Sequence, residues 1–207
     1  MRLTVTSHLT LDGVVQSNGK PEPELGDGFE QGGWQLPYLD REFAALMAES
    51  IGPAEAFLFG RRTYELFEGH WPYVKDPRDP LATKLNGCPK YVVSSTLENP
   101  HWDKTAVLRG DPATEIDRLK KRPGGELQVH GSATLIRRLM HHGLVDEYRL
   151  FVHPVVLGDG HRLFEPGTAP LALRLVSMRT TRLGVVMHVY EPAGKPEYGA
   201  VAAGQRV

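Results

Sequence analysis

Two short stretches of the sequence combine glycine with hydroxyl side chains and, in one case, paired arginines: Gly60-Arg61-Arg62-Thr63 and Gly131-Ser132-Ala133-Thr134. Each follows a short apolar run and precedes a helical pattern, so each puts a glycine where a buried strand turns into a helix. The first N–H groups of a helix lack an intrahelical acceptor, and the positive end of the helix dipole lies beside them, a combination that holds phosphate. Glycine lets such a group approach the main chain closely. Both corners are therefore candidate anion sites. Plain turn chemistry is the alternative at either one, because glycine is common at strand–helix junctions.

Missing motifs exclude other chemistries. No G-x-G-x-x-G follows the first strand pattern and no G-x-x-x-x-G-K-[ST] occurs, which leaves out the common dinucleotide and P-loop fingerprints. The single cysteine, Cys88, is followed by Pro89 but belongs to no H-x-E…P-C-x-x-C zinc signature, and the nine histidines contain no H-E-x-x-H. His141-His142 falls at a helix end, where cations are favourable without a metal, so no metal is expected. No G-x-S-x-G elbow supports a hydrolase.

Composition narrows the partners. The 24 Lys and Arg residues balance 25 Asp and Glu and are scattered, so no basic face for nucleic acid or a membrane surface is expected, and a small-molecule partner is. One cysteine cannot form an intramolecular disulfide, residues 1–10 lack a signal peptide's apolar stretch, and no apolar run approaches a bilayer's span; a reducing cytoplasm is the expected compartment. At 207 residues the expectation is one domain over residues 1–191 and a flexible tail over 192–207.

The elements that would position the two corners follow from periodicity. Residues 2–9 alternate as a strand, continued by Leu11-Asp12-Gly13-Val14-Val15 after a turn, and 16–35 are a long Gly- and Pro-rich stretch expected to be a mobile loop. Residues 37–51 open with Pro37 and place Leu39, Phe43, Leu46, Met47 and Ile51 on one helical face. Residues 56–60 predict a buried strand and 61–67 a helix start, whereas 70–86 are interrupted around Trp71-Pro72 and Asp76-Pro77. Strands are expected at 90–95 and 105–109, and a helix at 112–121. Then come a strand at 127–130, Ser132 as N-cap, an apolar stripe of Leu135, Ile136, Leu139 and Met140, and Gly143 just past the helix end. A strand at 147–154 and a hairpin of 171–178 with 185–190 close the chain. Alternating strands and helices predict an α/β fold: a mostly parallel central sheet, an antiparallel C-terminal hairpin, and helices on both faces.

Four separated motifs, in order, carry a family resemblance. Phe59-Gly60-Arg61-Arg62-Thr63-Tyr64-Glu65 and the later Val93-Ser94-Ser95 resemble the dihydrofolate reductases. The stretches 129–135 and 143–147, with 154–160 and Leu163-Phe164, are similar to the reductase domain of the bifunctional riboflavin-biosynthesis deaminase-reductase and its stand-alone relatives. With Leu11-Asp12-Gly13, the resemblance spans nearly the whole chain to about residue 190.

The resemblance implies a dihydrofolate-reductase-like fold, a homodimer, and an NADPH site. Arg61 and Arg62 would offer guanidinium forks to phosphate, Thr63 its hydroxyl, and Ser94, Ser95 and Thr96 would bond the ribose 2′-phosphate. His130, Gly131, Ser132, Ala133 and Thr134 would form the pyrophosphate and nicotinamide side. Simpler readings stand beside these: Ser94-Ser95 as a strand end, Arg61 or Arg62 as a solvated face, Glu65 as an arginine's ion-pair partner. For the proton donor, the resemblance points to a carboxylate on the first helix, where Asp40 stands one position late; Asp12 is the alternative acid, and equally a turn residue. His130 replaces one glycine of a Gly-Gly pair common in the riboflavin enzymes. The implied activity is NADPH-dependent reduction of a small heterocyclic or carbonyl compound; the alternative is a non-catalytic, dimeric nucleotide-binding protein that keeps the fold.

Overall fold

The computed structural model describes residues 1–19 and 28–199. Its strands are β1 (Arg2–Thr10), β2 (Ala54–Gly60), β3 (Lys90–Val93), β4 (Thr105–Leu108), β5 (Glu126–His130), β6 (Glu147–His153), β7 (Leu173–Thr180) and β8 (Val186–Pro192). The helices are α1 (Arg41–Ile51), α2 (Arg61–Glu68), α3 (Pro80–Gly87), α4 (Pro112–Lys120) and α5 (Ala133–His141). One eight-stranded sheet has the order β4-β3-β2-β5-β1-β6-β8-β7. The first six strands run parallel, and β8 is antiparallel to both β6 and β7. This is the α/β arrangement predicted from the pattern.

Parallel strands joined by helical crossovers are covered on both faces, and period-two alternation decides which side chain meets which helix. Leu3, Val5, Leu58, Leu127, Val129 and Leu150 pack under Ile116 and Leu119 of α4 and Leu135, Ile136 and Leu139 of α5. On the other face Phe57 and Phe59 meet Ile51, Tyr64 and Leu85, while Phe151, Met187 and Val189 lie under Phe43 and Leu46 of α1. The helices leaving the adjacent strands β1 and β5 therefore sit on opposite faces. In such sheets a crevice opens at the carboxyl ends of the strands.

Several elements differ from expectation, each for a local reason. Residues 37–51 are not one helix: Pro37 lies in a separate 3-10 turn, Leu36–Tyr38, after which Leu39 is extended. The helix proper starts where Asp40 Oδ1 accepts the Phe43 N–H at 2.7 Å, a stronger start signal than a proline. Residues 70–86 contain a full helix, α3, whose N-cap Asp79 accepts from Leu81 and Ala82 N–H and whose Pro80 occupies the first turn. Of the stretch 16–35 expected as a mobile loop, residues 20–27 lie outside the described residues. Its flanks are joined by Gly33 N–H to Ser17 O and Trp34 Nε1–H to Gln16 O. At the other end, β8 reaches Pro192 and Ala193 N–H bonds Ala172 O, while 200–207 lie outside the described residues.

Candidate functional site

Because β2 and β5 are parallel neighbours, their carboxyl ends bring the two glycine corners side by side. The corners are interlocked: Gly60 N–H donates to Ser132 Oγ at 2.9 Å, and Ser132 N–H donates to Thr63 Oγ1 at 3.1 Å. The second link needs an unusual backbone, with Gly131 at φ +60° and Ser132 left-handed at φ 56°, ψ 49°. A Cβ at Gly131 would lie 3.2 Å from Thr63 Cγ2, so the two corners meet there in tight contact. Ser132 occupies the N-cap position of α5 but does not cap it; its oxygen accepts across the junction instead, which corrects the capping role expected from sequence.

The helix starts at these corners differ from the other three. Asp40, Asp79 and Asp111 cap α1, α3 and α4 with their carboxylates. Neither α2 nor α5 has a side-chain cap or an acidic residue in its first turn. Two adjacent helix dipoles thus point their positive ends at one place, without a protein anion to compensate them. Arg61 and Arg62 are exposed at the same end of α2; Arg61 is 3.5 Å from Glu65, the ion pair considered for it, and Arg62 has no partner among the described residues. Gly131 and Thr134 are exposed, and Ala133 is half-buried between them.

Ser94 follows β3 and so stands at the same edge of the sheet. Its Oγ accepts the N–H groups of Thr96 and Leu97, shaping Ser94-Ser95-Thr96 into a turn and leaving the hydroxyl proton free to donate. Arg109, just beyond β4, donates to Ser95 O and Leu97 O and places a guanidinium against that turn, a residue sequence reasoning passed over. The parallel pairing of Val93 with Leu108 puts it there. His130 departs from the cofactor group: its imidazole is buried under Phe57 with Nε2 bonded to Gln128 Oε1, so only its main chain faces the corner.

Neither candidate acid is placed as a proton donor. Asp12 accepts from Thr10 Oγ1 at 2.6 Å, from Leu157 and Gly158 N–H, and from Arg162. Desolvation opposes its charge, but the Thr10 hydroxyl and the amide donors outweigh it and hold the carboxyl down at about 2. A carboxylate so held is ionised at neutral pH, accepting hydrogen bonds with no proton of its own to give; Asp12 clamps the β1 turn to the segment after β6. Asp40 is committed to the start of α1.

Two residues outside the expected set stand near the carboxyl ends of β1 and β6. His8 and His153 have ring centroids 5.9 Å apart, among Trp34, Tyr38, Phe43 and Phe151. Alternation puts both on the α1 face of their strands, but only the register between β1 and β6 shows that they meet. Desolvation keeps both neutral and His130 with them: His8 falls to about 3, aided by the repulsion it would meet from His153 and His130 if these were protonated too, His130 falls to about 4, aided by Arg149, and His153 is lowered despite its carbonyl partners. The unfolded chain, with imidazoles near 6.5, binds more protons between that pH and about 3, so stability falls as pH drops through this window. Urea midpoints should decline steadily from about pH 6.5 to about pH 4.5, and the His8→Gln variant should decline less steeply; equal slopes would contradict the assignment.

Residues 2–187 match the family model described as the RibD C-terminal domain. The sequence is 31% identical over 192 residues to the uncharacterized protein YyaP of Bacillus subtilis (strain 168), covering 91% of this chain and 94% of that one. A pyrimidine reductase-like protein of Corynebacterium diphtheriae superposes with a TM-score of 0.61 at 16% identity, over 92% of this chain and 91% of the other. The dihydrofolate reductase of Enterococcus faecalis, solved as a complex with NADP(H), gives a TM-score of 0.59 at 12% identity, over 93% and 96%. At such identities the likeness speaks for the fold, which is dihydrofolate-reductase-like.

Proposed function

Since the chain belongs to the RibD C-terminal domain family, we propose that it is an NADPH-dependent reductase acting on a small heterocyclic or carbonyl compound. The observation that carries this reading is the pair of interlocked, uncapped helix starts at Gly60 and Gly131. The residues fit the coenzyme: a pyrophosphate would find main-chain N–H groups at both helix starts and the Ser132 hydroxyl proton, at corners held in contact because Gly131 carries no Cβ against Thr63. The Arg62 fork, and Arg109 beside the Ser94-Ser95-Thr96 turn, would favour the extra phosphate of NADPH over NADH. NADPH supplies the hydride when bound; the protein's part is to hold it against the substrate at the carboxyl ends of β5, β1 and β6 and to keep water away.

Calorimetry with NADPH and NADH is the direct test. The Arg61→Ala/Arg62→Ala double variant should bind NADPH about ten- to a hundred-fold more weakly, as expected for loss of charge-assisted bonds to phosphate, with an unchanged melting temperature. Failure of the parent chain to take up either coenzyme at millimolar concentration would remove the reductase reading. The commitment of Asp12 and Asp40 to structural bonds favours a second reading, a nucleotide binder without turnover. Such a protein quenches NADPH fluorescence but never consumes the coenzyme with pterin, pyrimidine or quinone substrates. Residence in the cytoplasm and a homodimer belong to the first proposal, the latter drawing support from Leu175, Val176 and Met178, exposed on the edge strand β7.

A further inference from the structure

The imidazole pair near the sheet's carboxyl edge presents a definite hydrogen-bonding pattern. His153 Nδ1 lies 3.2 Å from Leu9 O and 3.1 Å from Phe151 O; both are acceptors, so the ring proton resides on Nδ1. His153 Nε2 is therefore a bare acceptor, and it is buried with no hydrogen-bond partner among the described residues. His8 has the opposite tautomer. Gln35 Nε2 lies 3.2 Å from His8 Nδ1 while Gln35 Oε1 faces the Asn18 amide nitrogen; with the two amides oriented so, Gln35 donates to Nδ1 and the His8 proton is assigned to Nε2. A donor and an acceptor thus stand on two rings 5.9 Å apart, enclosed by the edge of Trp34 and the faces around Phe43 and Phe151. An unsatisfied buried acceptor is costly, and its persistence in an aromatic enclosure calls for a ligand group that donates to it.

We propose that His8 and His153 are the specificity-determining pair of the substrate site and read the lactam edge, N–H beside C=O, of a neutral aromatic heterocycle. The assignment of this ligand as substrate rests on the reductase reading, since β1 separates β6 from the glycine corner that ends β5. The ligand N–H donates to His153 Nε2 and its carbonyl accepts from His8 Nε2–H. Both imidazoles are neutral and the rings around them are uncharged, so the contacts of this pair favour a neutral ring over a cationic one. A diamino-substituted ring, which offers donors where His8 also donates, is mismatched.

Three ring-matched probes separate the possibilities: quinazolin-4-one, its 3-methyl derivative, and 2,4-diaminoquinazoline, each titrated calorimetrically into the full chain with and without NADPH. Quinazolin-4-one should bind at least ten-fold more tightly than either of the others. His153→Phe should lose that preference while leaving the methylated probe unaffected, and His153→Gln, which keeps an acceptor, should recover part of it. NADPH uptake measured on every variant reports separately on the coenzyme site and the fold. Equal affinity for the three probes, no binding of any, or an unchanged preference in His153→Phe would overturn the proposal. Discrimination without NADPH uptake would sustain the histidine pair as a ligand site and overturn the reductase reading alone.

Discussion

Replacing Gly131 with valine is expected to reduce NADPH affinity at least a hundred-fold. At φ +60° a β-branched residue is strained by about 1–2 kcal/mol, and its Cβ would arrive 3.2–3.3 Å from the Thr63 methyl and hydroxyl. The valine side chain would press on Thr63, so the two strand–helix corners would have to shift apart and the Ser132 N–H to Thr63 Oγ1 bond that sets their geometry would be strained. Gly143 provides the control. It has φ +62° at the end of α5 with nothing within 4 Å of a built Cβ, so Gly143→Ala imposes similar backbone strain without a steric clash. That variant should melt a few degrees lower yet bind NADPH normally. Calorimetry on the two proteins distinguishes a local distortion from general destabilisation, and wild-type affinity in Gly131→Val would remove the corner from the coenzyme site.

Arg149→Met should destabilise the fold by about 3–5 kcal/mol, the range found when one partner of a buried ion pair is removed. Arg149 Nη2 lies 2.6 Å from Glu126 Oε1 and 2.7 Å from Glu147 Oε1, while Nη1 donates to Ser50 O. All three charged side chains are nearly buried, with 7–12% exposure, so the variant would leave two carboxylates in a poorly solvated place. Arg2, 3.0 Å from Glu147, compensates only one of them. Denaturant titration should show the loss, and adding Glu126→Gln and Glu147→Gln should restore a substantial part of it by removing the stranded charges. A single variant as stable as the parent would show that the carboxylates find water or protons at little expense.

The sequence made the strand–helix corners readable because their determinants are local: an apolar run, a glycine and a helical stripe within some ten residues. The parallel sheet followed from the same alternation. Helix starts were less legible when two signals competed, as at Pro37 against Asp40, or when flanking prolines masked a sound cap-and-proline start, as at Asp79-Pro80. Ser132 has a capping residue's identity, yet its left-handed backbone and its bond to Gly60 depend on a segment 72 residues away. His8, His153, Arg109 and Arg149 escaped notice for a related reason. Each gains its meaning from the register between strands, and no spacing along the chain encodes that register.

The cross-bonding of Gly60, Thr63 and Ser132 has a kinetic implication. Because that clasp is already set in the unliganded chain, little conformational freedom remains to be surrendered at the phosphate end when a dinucleotide arrives. Capture of the coenzyme should accordingly proceed as a single bimolecular phase, and its lifetime on the protein, more than its rate of arrival, should register alterations to the clasp.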